Sequence, residues 1–396
     1  MKAQNLDTLC IHAISHYDDD RSAPLVTPIV QSTSFVFKNI QDGKEKCEST
    51  DYGHCYTRLS NPTTSALEKG LAAIEGSEAA VAFGSGVGAI SGVLFWALKQ
   101  GDHVVADGTL YSATHYLFDT MLVKFGVETT FVDCSNIDEV RAAIRPNTKL
   151  IYCESPANPT MKVIDLREIA KIGKEFGILT AVDATFASPY CMQATKFGID
   201  IAIHSTTKYV CGHGDAIGGA VMTTKAIADQ LRDVSVKNIG ACPSPFNSYL
   251  NLRGLKTLPV RMKKLCENAQ RIAEYLETCP QVREVRYPGL KSHPQHKIAE
   301  ETMNGYGAVI CFDLSGGLEA GIRFMEAVQL CTLAVSLGDA ETLLEHPASM
   351  THWYIDRPLR EAAGITDGLI RMSVGLEDPE DVIADLAKAL ELSEKK

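Results

Sequence analysis

Between residues 64 and 225, short apolar segments recur at Ala80–Phe83, His103–Ala106, Thr129–Val132, Leu150–Cys153, Leu179–Val182, Ile201–Ile203 and Gly219–Met222. Amphipathic stretches such as Asp165–Phe176 separate most of them. Apolar runs of this length suit strands buried on both faces, and helical spacers supply the crossovers that parallel strands need. The alternation predicts an α/β fold built on a large, mostly parallel sheet. The uncharged run from Ala79 to Leu98 is long enough to cross a bilayer, but the cluster Gly84-Ser85-Gly86-Val87-Gly88 splits it into strand, turn and helix. It reads as a buried βα unit.

At 396 residues the chain exceeds the usual size of one core, so more than one domain is expected. Residues 1–60 lack sustained periodicity and read as an extended arm that contacts a neighbouring subunit. Residues 61–255 form the α/β domain. Residues 256–396 mix helix and strand, with a helix over Leu258–Cys279, strands around Val282–Tyr287 and Ala308–Phe312, and a terminal helix opened by Asp378 and running to about Leu392. That mixture predicts a smaller α+β domain. A net charge of −11 argues against nucleic acid or an anionic membrane as a partner. The twelve cysteines lack close paired spacings and no basic-apolar leader opens the sequence, so reduced thiols and a cytoplasmic location are expected.

Lys208 lies just past the apolar run Ile199–Ile203, after a Ser/Thr cluster and before Gly212 and Gly214. In an open α/β sheet that edge is where ligands bind. An amine there, beside Ser205 and Thr207, suits Schiff-base formation with a carbonyl or with pyridoxal 5'-phosphate (PLP). Asp183 ends the preceding apolar run, where a carboxylate can pair with the PLP ring nitrogen. Residues Gly84–Ala89 fall between strand and helix, a natural phosphate cradle. They also satisfy the loose dinucleotide pattern, so a nicotinamide-dependent oxidoreductase stays open as a reading that leaves Lys208 and Asp183 unexplained.

Asn158, in a proline-rich loop after Glu154, can hydrogen-bond a ring hydroxyl, and Tyr56 with Arg58 can hold a phosphate. Arg371 interrupts an apolar strand and needs an anionic partner, either a substrate carboxylate or an internal salt bridge. His346 and His352 lack the spacing of a zinc pair, and no metal site is expected.

The ordered motifs Tyr56-Thr57-Arg58, Ser85-Gly86, Leu110-Tyr111, Glu154-Ser-Pro-Ala-Asn-Pro159, Val182-Asp183, Ser205-Thr-Thr-Lys208, Ser336-Leu-Gly338 and Arg371-Met-Ser-Val-Gly-Leu-Glu377 run nearly end to end. In them the chain resembles the PLP-dependent enzymes of cysteine and methionine metabolism, which include methionine γ-lyase, the cystathionine lyases, cystathionine γ-synthase and O-acetylhomoserine sulfhydrylase. The resemblance implies the type I aminotransferase fold and a homotetramer, a dimer of dimers with active sites shared between subunits. It implies that Lys208 holds PLP and shuttles protons, that Asp183 pairs with the ring nitrogen, and that Tyr111 stacks on the ring. Ser85, Gly86, Val87, Ser205 and Thr207 would cradle the phosphate, with Tyr56 and Arg58 of the adjacent subunit. Asn158 would contact the ring hydroxyl, and Ser336 and Arg371 would hold the substrate carboxylate.

The activity so implied is γ-elimination on a sulfur amino acid, with methionine favoured. Cystathionine γ-lyase, a cysteine or homocysteine desulfhydrase, and O-acetylhomoserine sulfhydrylase are the alternatives. Two positions depart from the methionine-lyase pattern, Ala113 where a cysteine is usual and Asn238, after Lys237, where an aspartate is usual, and Ala184 departs from the family's usual Val-Asp-Asn-Thr. Val335 stands where cystathionine γ-lyases commonly carry glutamate.

Overall fold

A computed structural model describes residues 5–13, 24–354 and 356–394. The parts of the expected arm at 1–4 and 14–23 lie outside the described residues.

Seven strands form the large sheet: β1 (Ala79–Phe83), β2 (His103–Asp107), β3 (Glu128–Val132), β4 (Thr148–Glu154), β5 (Leu179–Asp183), β6 (Ile201–His204) and β7 (Gly219–Thr223), in the spatial order β1-β7-β6-β5-β4-β2-β3. Strands β3, β2, β4, β5 and β6 are mutually parallel. β7 runs antiparallel to both β1 and β6. The reversal has a local cause. The link from His204 to Gly219 contains turns but no crossover helix, and without one the chain can return only antiparallel. That link carries Lys208.

The helices are bounded by local chemistry. Asn61 caps Pro62–Glu75 by accepting the Thr63 amide at 2.9 Å, and Gly76, with φ 77°, ends it. Ser85 caps Gly86–Ala97 through the Gly88 amide at 3.0 Å. The uncharged run is therefore β1, a turn and this helix. Among the described residues no helix is long and apolar enough to cross a membrane.

A second sheet orders β10 (Thr332–Leu333), β11 (Leu343–Glu345), β12 (Leu369–Ser373), β9 (Val309–Leu314) and β8 (Val282–Arg286). The helix Leu258–Glu277 packs on β8 and β9 and also on the short helix Ser188–Cys191 beside the large sheet. It joins the two layers mechanically.

Two expectations need correction. The arm is not simply extended: Asn39 caps a helix over Ile40–Glu48 by accepting the Asp42 amide at 3.0 Å, and Leu6–His12 is also helical. A polar helix with Gly43 at its centre carries almost no apolar signal. The thiols are not all reduced either. Cys47 and Cys55 form a disulfide with Cα atoms 5.4 Å apart, which closes the loop between that helix and the Tyr56–Arg58 segment, while the other ten cysteines are free. Seven intervening residues hid the pair.

Candidate active site

The carboxyl ends of β4, β5 and β6 deliver Glu154, Asp183 and the turn Ser205–Thr207 to one edge of the large sheet. The Lys208 amide donates to the Ser205 carbonyl at 3.2 Å, and the Gly212 amide donates to the Lys208 carbonyl at 2.8 Å. Gly338, with φ 78°, lies against this turn. A Cβ on it would sit 2.7 Å from the Tyr209 nitrogen, so only glycine lets the 336–338 segment approach. That approach places the Ser336 hydroxyl 2.7 Å from Lys208 Nζ. Among the described residues Lys208 has no carboxylate ion-paired to it. Burial, then the Arg371 charge, push its amine down to about 8, while Glu345 acts in the opposite sense.

Asp183 accepts from the Thr185 amide at 3.0 Å and from the Thr185 hydroxyl at 2.5 Å, both on Oδ1. The same hydroxyl accepts the Ser205 amide at 2.8 Å, which ties the end of β5 to the lysine turn. Burial raises the Asp183 carboxyl, against the lowering effect of Thr185 and His204. Glu154 pairs with Asp183 in the β4–β5 register. It accepts the Tyr111 amide at 2.9 Å and is held well above the ordinary carboxylate range by burial and by Asp183. Tyr111 itself is half exposed at the start of Ser112–Tyr116.

The geometry fits PLP. The amides of Gly86 and Val87, the first two of a twelve-residue helix, have no acceptor among the described residues. A Cβ on Gly86 would lie 2.7 Å from Ser205 Cβ, so the helix start and the lysine turn close on each other around this edge. Free amides suit the phosphate, Asp183 suits the ring nitrogen, and the Lys208 amine, with a depressed proton affinity, suits the aldehyde. Thr207 is committed elsewhere: its hydroxyl donates to the Gly218 carbonyl at 3.1 Å and accepts the Gly218 amide at 3.0 Å.

From the second sheet, Arg371 on β12 enters the same edge. It donates to the Ser336 carbonyl at 3.0 Å and to Asn158 Oδ1 at 3.3 Å. It also forms a buried salt bridge with Glu345. Asn158 thus meets Arg371 through Oδ1, while its Nδ2 donor has no partner among the described residues. Tyr56 and Arg58 stand apart from this cluster. The guanidinium lies over the Tyr56 ring at 5.5 Å and donates to the Lys237 carbonyl. Sequence reasoning missed Thr185 and Glu345. Thr185 carried a faint signal as a hydroxyl two residues after Asp183; Glu345 became visible only with the β11–β12 register.

A mostly parallel sheet with a lysine and an aspartate at the ends of neighbouring strands, covered by an arginine-bearing second domain, defines a PLP-dependent enzyme of the type I aminotransferase fold. Residues 7–391 match the family described as Cys/Met metabolism PLP-dependent enzyme, and the chain belongs to it. It is 48% identical over 392 residues to the L-methionine gamma-lyase of Fusobacterium nucleatum subsp. polymorphum, covering 98% of this chain and 99% of that one. It is 42% identical to the cystathionine gamma-lyase of Bacillus subtilis (strain 168), covering 97% and 98%. The solved cystathionine gamma-lyase of Lactobacillus plantarum, complexed with L-serine, superposes with a TM-score of 0.93 at 37% identity, covering 99% of this chain and all of that one.

Proposed function

We propose that this chain is a γ-lyase that converts methionine and water to methanethiol, 2-oxobutanoate and ammonia. The observation that carries the substrate is Val335. It adjoins Ser336 and is 56% exposed, so an apolar surface lies next to the group assigned to the substrate carboxylate. Cystathionine carries a second charged amino-acid head, and desolvating it there without a partner is unfavourable. Methionine ends in an uncharged thioether.

PLP, when bound, supplies the electron sink for carbanion chemistry at the substrate. The chain supplies the rest. Arg371 and Ser336 hold the substrate carboxylate. Lys208 Nζ, with its proton affinity lowered toward neutrality, would take the proton from Cα, pass it on to the cofactor carbon, and as a neutral amine again take one from Cβ. Gly86, Val87, Ser85 and Ser205 would hold the phosphate, Thr207 lending support through Gly218. Asp183 would pair with the ring nitrogen, and Tyr111, beside Ala113, would stack on the ring and serve the departing thiol. Asn158 would contact the ring hydroxyl through its Nδ2 while its Oδ1 accepts from Arg371. Tyr56 and Arg58 complete the phosphate site of an adjacent subunit, in a homotetramer whose contacts involve the arm of residues 1–60. The exposed apolar side chains Leu25, Val36 and Ile40 on that arm support such a contact.

The test is a side-by-side comparison of kcat/KM for methionine, homocysteine, cystathionine, cysteine and O-acetylhomoserine with sulfide, since specificity is a ratio of these values. Methionine or homocysteine should lead. Cystathionine ahead by about tenfold, roughly 1.4 kcal/mol in the transition state, would overturn the Val335 argument. O-acetylhomoserine with sulfide ahead would make the enzyme a synthase. Ala113→Cys should raise methionine turnover relative to cysteine turnover. Arg58→Ala should weaken PLP retention, and a fully active monomer in sedimentation would exclude the shared site.

A further inference from the structure

Arg371 is 8% exposed and Glu345 3% exposed, and they are direct partners in the antiparallel β11–β12 register. Opposed residues in such a pair project from the same face of the sheet, so the salt bridge follows from register alone. Glu345 Oε2 takes Arg371 Nη2, while Glu345 Oε1 accepts from the Thr351 hydroxyl, which in turn lies 2.9 Å from His352 Nδ1. The carboxylate is thus held on both oxygens. A guanidinium has five N–H donors. Two on Nη2 go to Glu345 and the Ser336 carbonyl, and one on Nη1 goes to Asn158. Nε and the second Nη1 donor have no partner among the described residues.

We propose that Glu345 is the positioning residue for substrate: it anchors the Nη2 side of Arg371 so that the Nε and Nη1 donors are left to receive the amino-acid carboxylate. The proposal rests on the reading of Arg371 as the carboxylate holder. A second consequence is electrostatic. Glu345 offsets the Arg371 charge next to Lys208, and these two groups are the charges that act on the lysine, beside the neutral Ser336 hydroxyl. Without the carboxylate, a buried guanidinium would stand uncompensated beside the amine that must move protons. With it, the site is balanced until substrate arrives.

Three variants separate orientation from charge. Glu345→Ala removes both, and KM for methionine should rise about tenfold or more while kcat changes less than about threefold, the pattern of lost uniform binding. Glu345→Asp keeps the charge and should recover part of that loss. Glu345→Gln keeps an acceptor but not the charge. Its readout is the pH dependence of Lys208 acylation in cofactor-free protein, followed by peptide mass. The midpoint should fall below the parent value of about 8, because the negative charge that raised it is gone.

An unchanged KM in Glu345→Ala, or an unmoved midpoint in Glu345→Gln, would overturn the proposal. If the alanine variant does not fold, the glutamine midpoint and the aspartate KM decide it. Arg371→Ala is the control for the underlying reading. If it leaves KM unchanged, Arg371 does not hold the carboxylate. If it raises KM while Glu345→Ala does not, only the role of Glu345 fails.

Discussion

Lys208 and Ser336, 128 residues apart in the chain, meet through a 2.7 Å hydrogen bond between amine and hydroxyl. The bond crosses from the lysine turn of the large sheet to the loop leading into β11, so it spans the two layers at the point where chemistry is expected. Ser336 reaches it in an unusual backbone conformation, with φ 95°. Non-glycine residues held there carry roughly 1–3 kcal/mol of strain.

That strain separates two substitutions. Ser336→Gly and Ser336→Ala both remove the hydroxyl, but only glycine relaxes the backbone. The glycine variant should be more stable than the alanine variant by about 1 kcal/mol in urea unfolding. Both should raise KM for the amino acid. Equal midpoints would show that the loop is not strained.

Lys208 links stability to pH. Its folded proton affinity is lowered from 10.5 to about 8, so between those values the unfolded chain binds more protons than the folded one. Stability from this group therefore rises with pH across that window, and below about 8 the full cost of a buried charged amine is present. In cofactor-free protein, Lys208→Met should be more stable than the parent at about pH 7 and lose that advantage by about pH 10. Urea midpoints at the two pH values measure it. A gap independent of pH would mean that the amine is not desolvated.

The strands that bear the site were legible because burial on both faces leaves an apolar run with no competing pattern. Leu179–Asp183 and Ile201–His204 were anticipated to within a residue, and with them the positions of Asp183 and Lys208. The reversal of β7 was not, since direction depends on whether the intervening loop contains a crossover. Arg371 was visible as a charge inside an apolar strand, yet its partner was not. Glu345 lies 26 positions earlier on a three-residue strand, too short for periodicity, and pairs only through register. The helix Ile40–Glu48 escaped because it buries almost nothing.

Arg261 ties the second layer to the lysine turn. From the helix Leu258–Glu277 it donates to the carbonyls of Tyr209 at 2.7 Å and Gly254 at 2.8 Å, and its Nε donates to the Thr257 hydroxyl at 3.1 Å. Burial pushes the guanidinium down to about 10, so it remains a cation at neutral pH. A lysine ammonium cannot span these acceptors with the same fork. Arg261→Lys should destabilise the protein by about 2–4 kcal/mol and lower PLP content, because the neighbour of Lys208 loses its anchor. Chemical unfolding and cofactor absorbance test the two effects. Unchanged stability would show that the carbonyls are satisfied without Arg261.

The Thr185 hydroxyl gives the most specific handle on cofactor binding. It donates to Asp183 Oδ1 and accepts the Ser205 amide, so one oxygen fixes both the carboxylate and the lysine turn. Thr185→Val keeps the shape and deletes the hydroxyl. Asp183 then loses a bond that favours its charged form, and its proton affinity, already raised by burial, rises further. A protonated Asp183 cannot pair with a protonated ring nitrogen, so PLP binding should weaken most on the acid side. At neutral pH the loss should be about tenfold in Kd, the worth of one charge-assisted hydrogen bond. Thr185→Ser restores the hydroxyl and should stay within about threefold of the parent. Fluorescence titration of cofactor-free protein with PLP at two pH values reads both quantities. A valine variant that binds as tightly as the parent at both would mean that Asp183 holds its charge without Thr185.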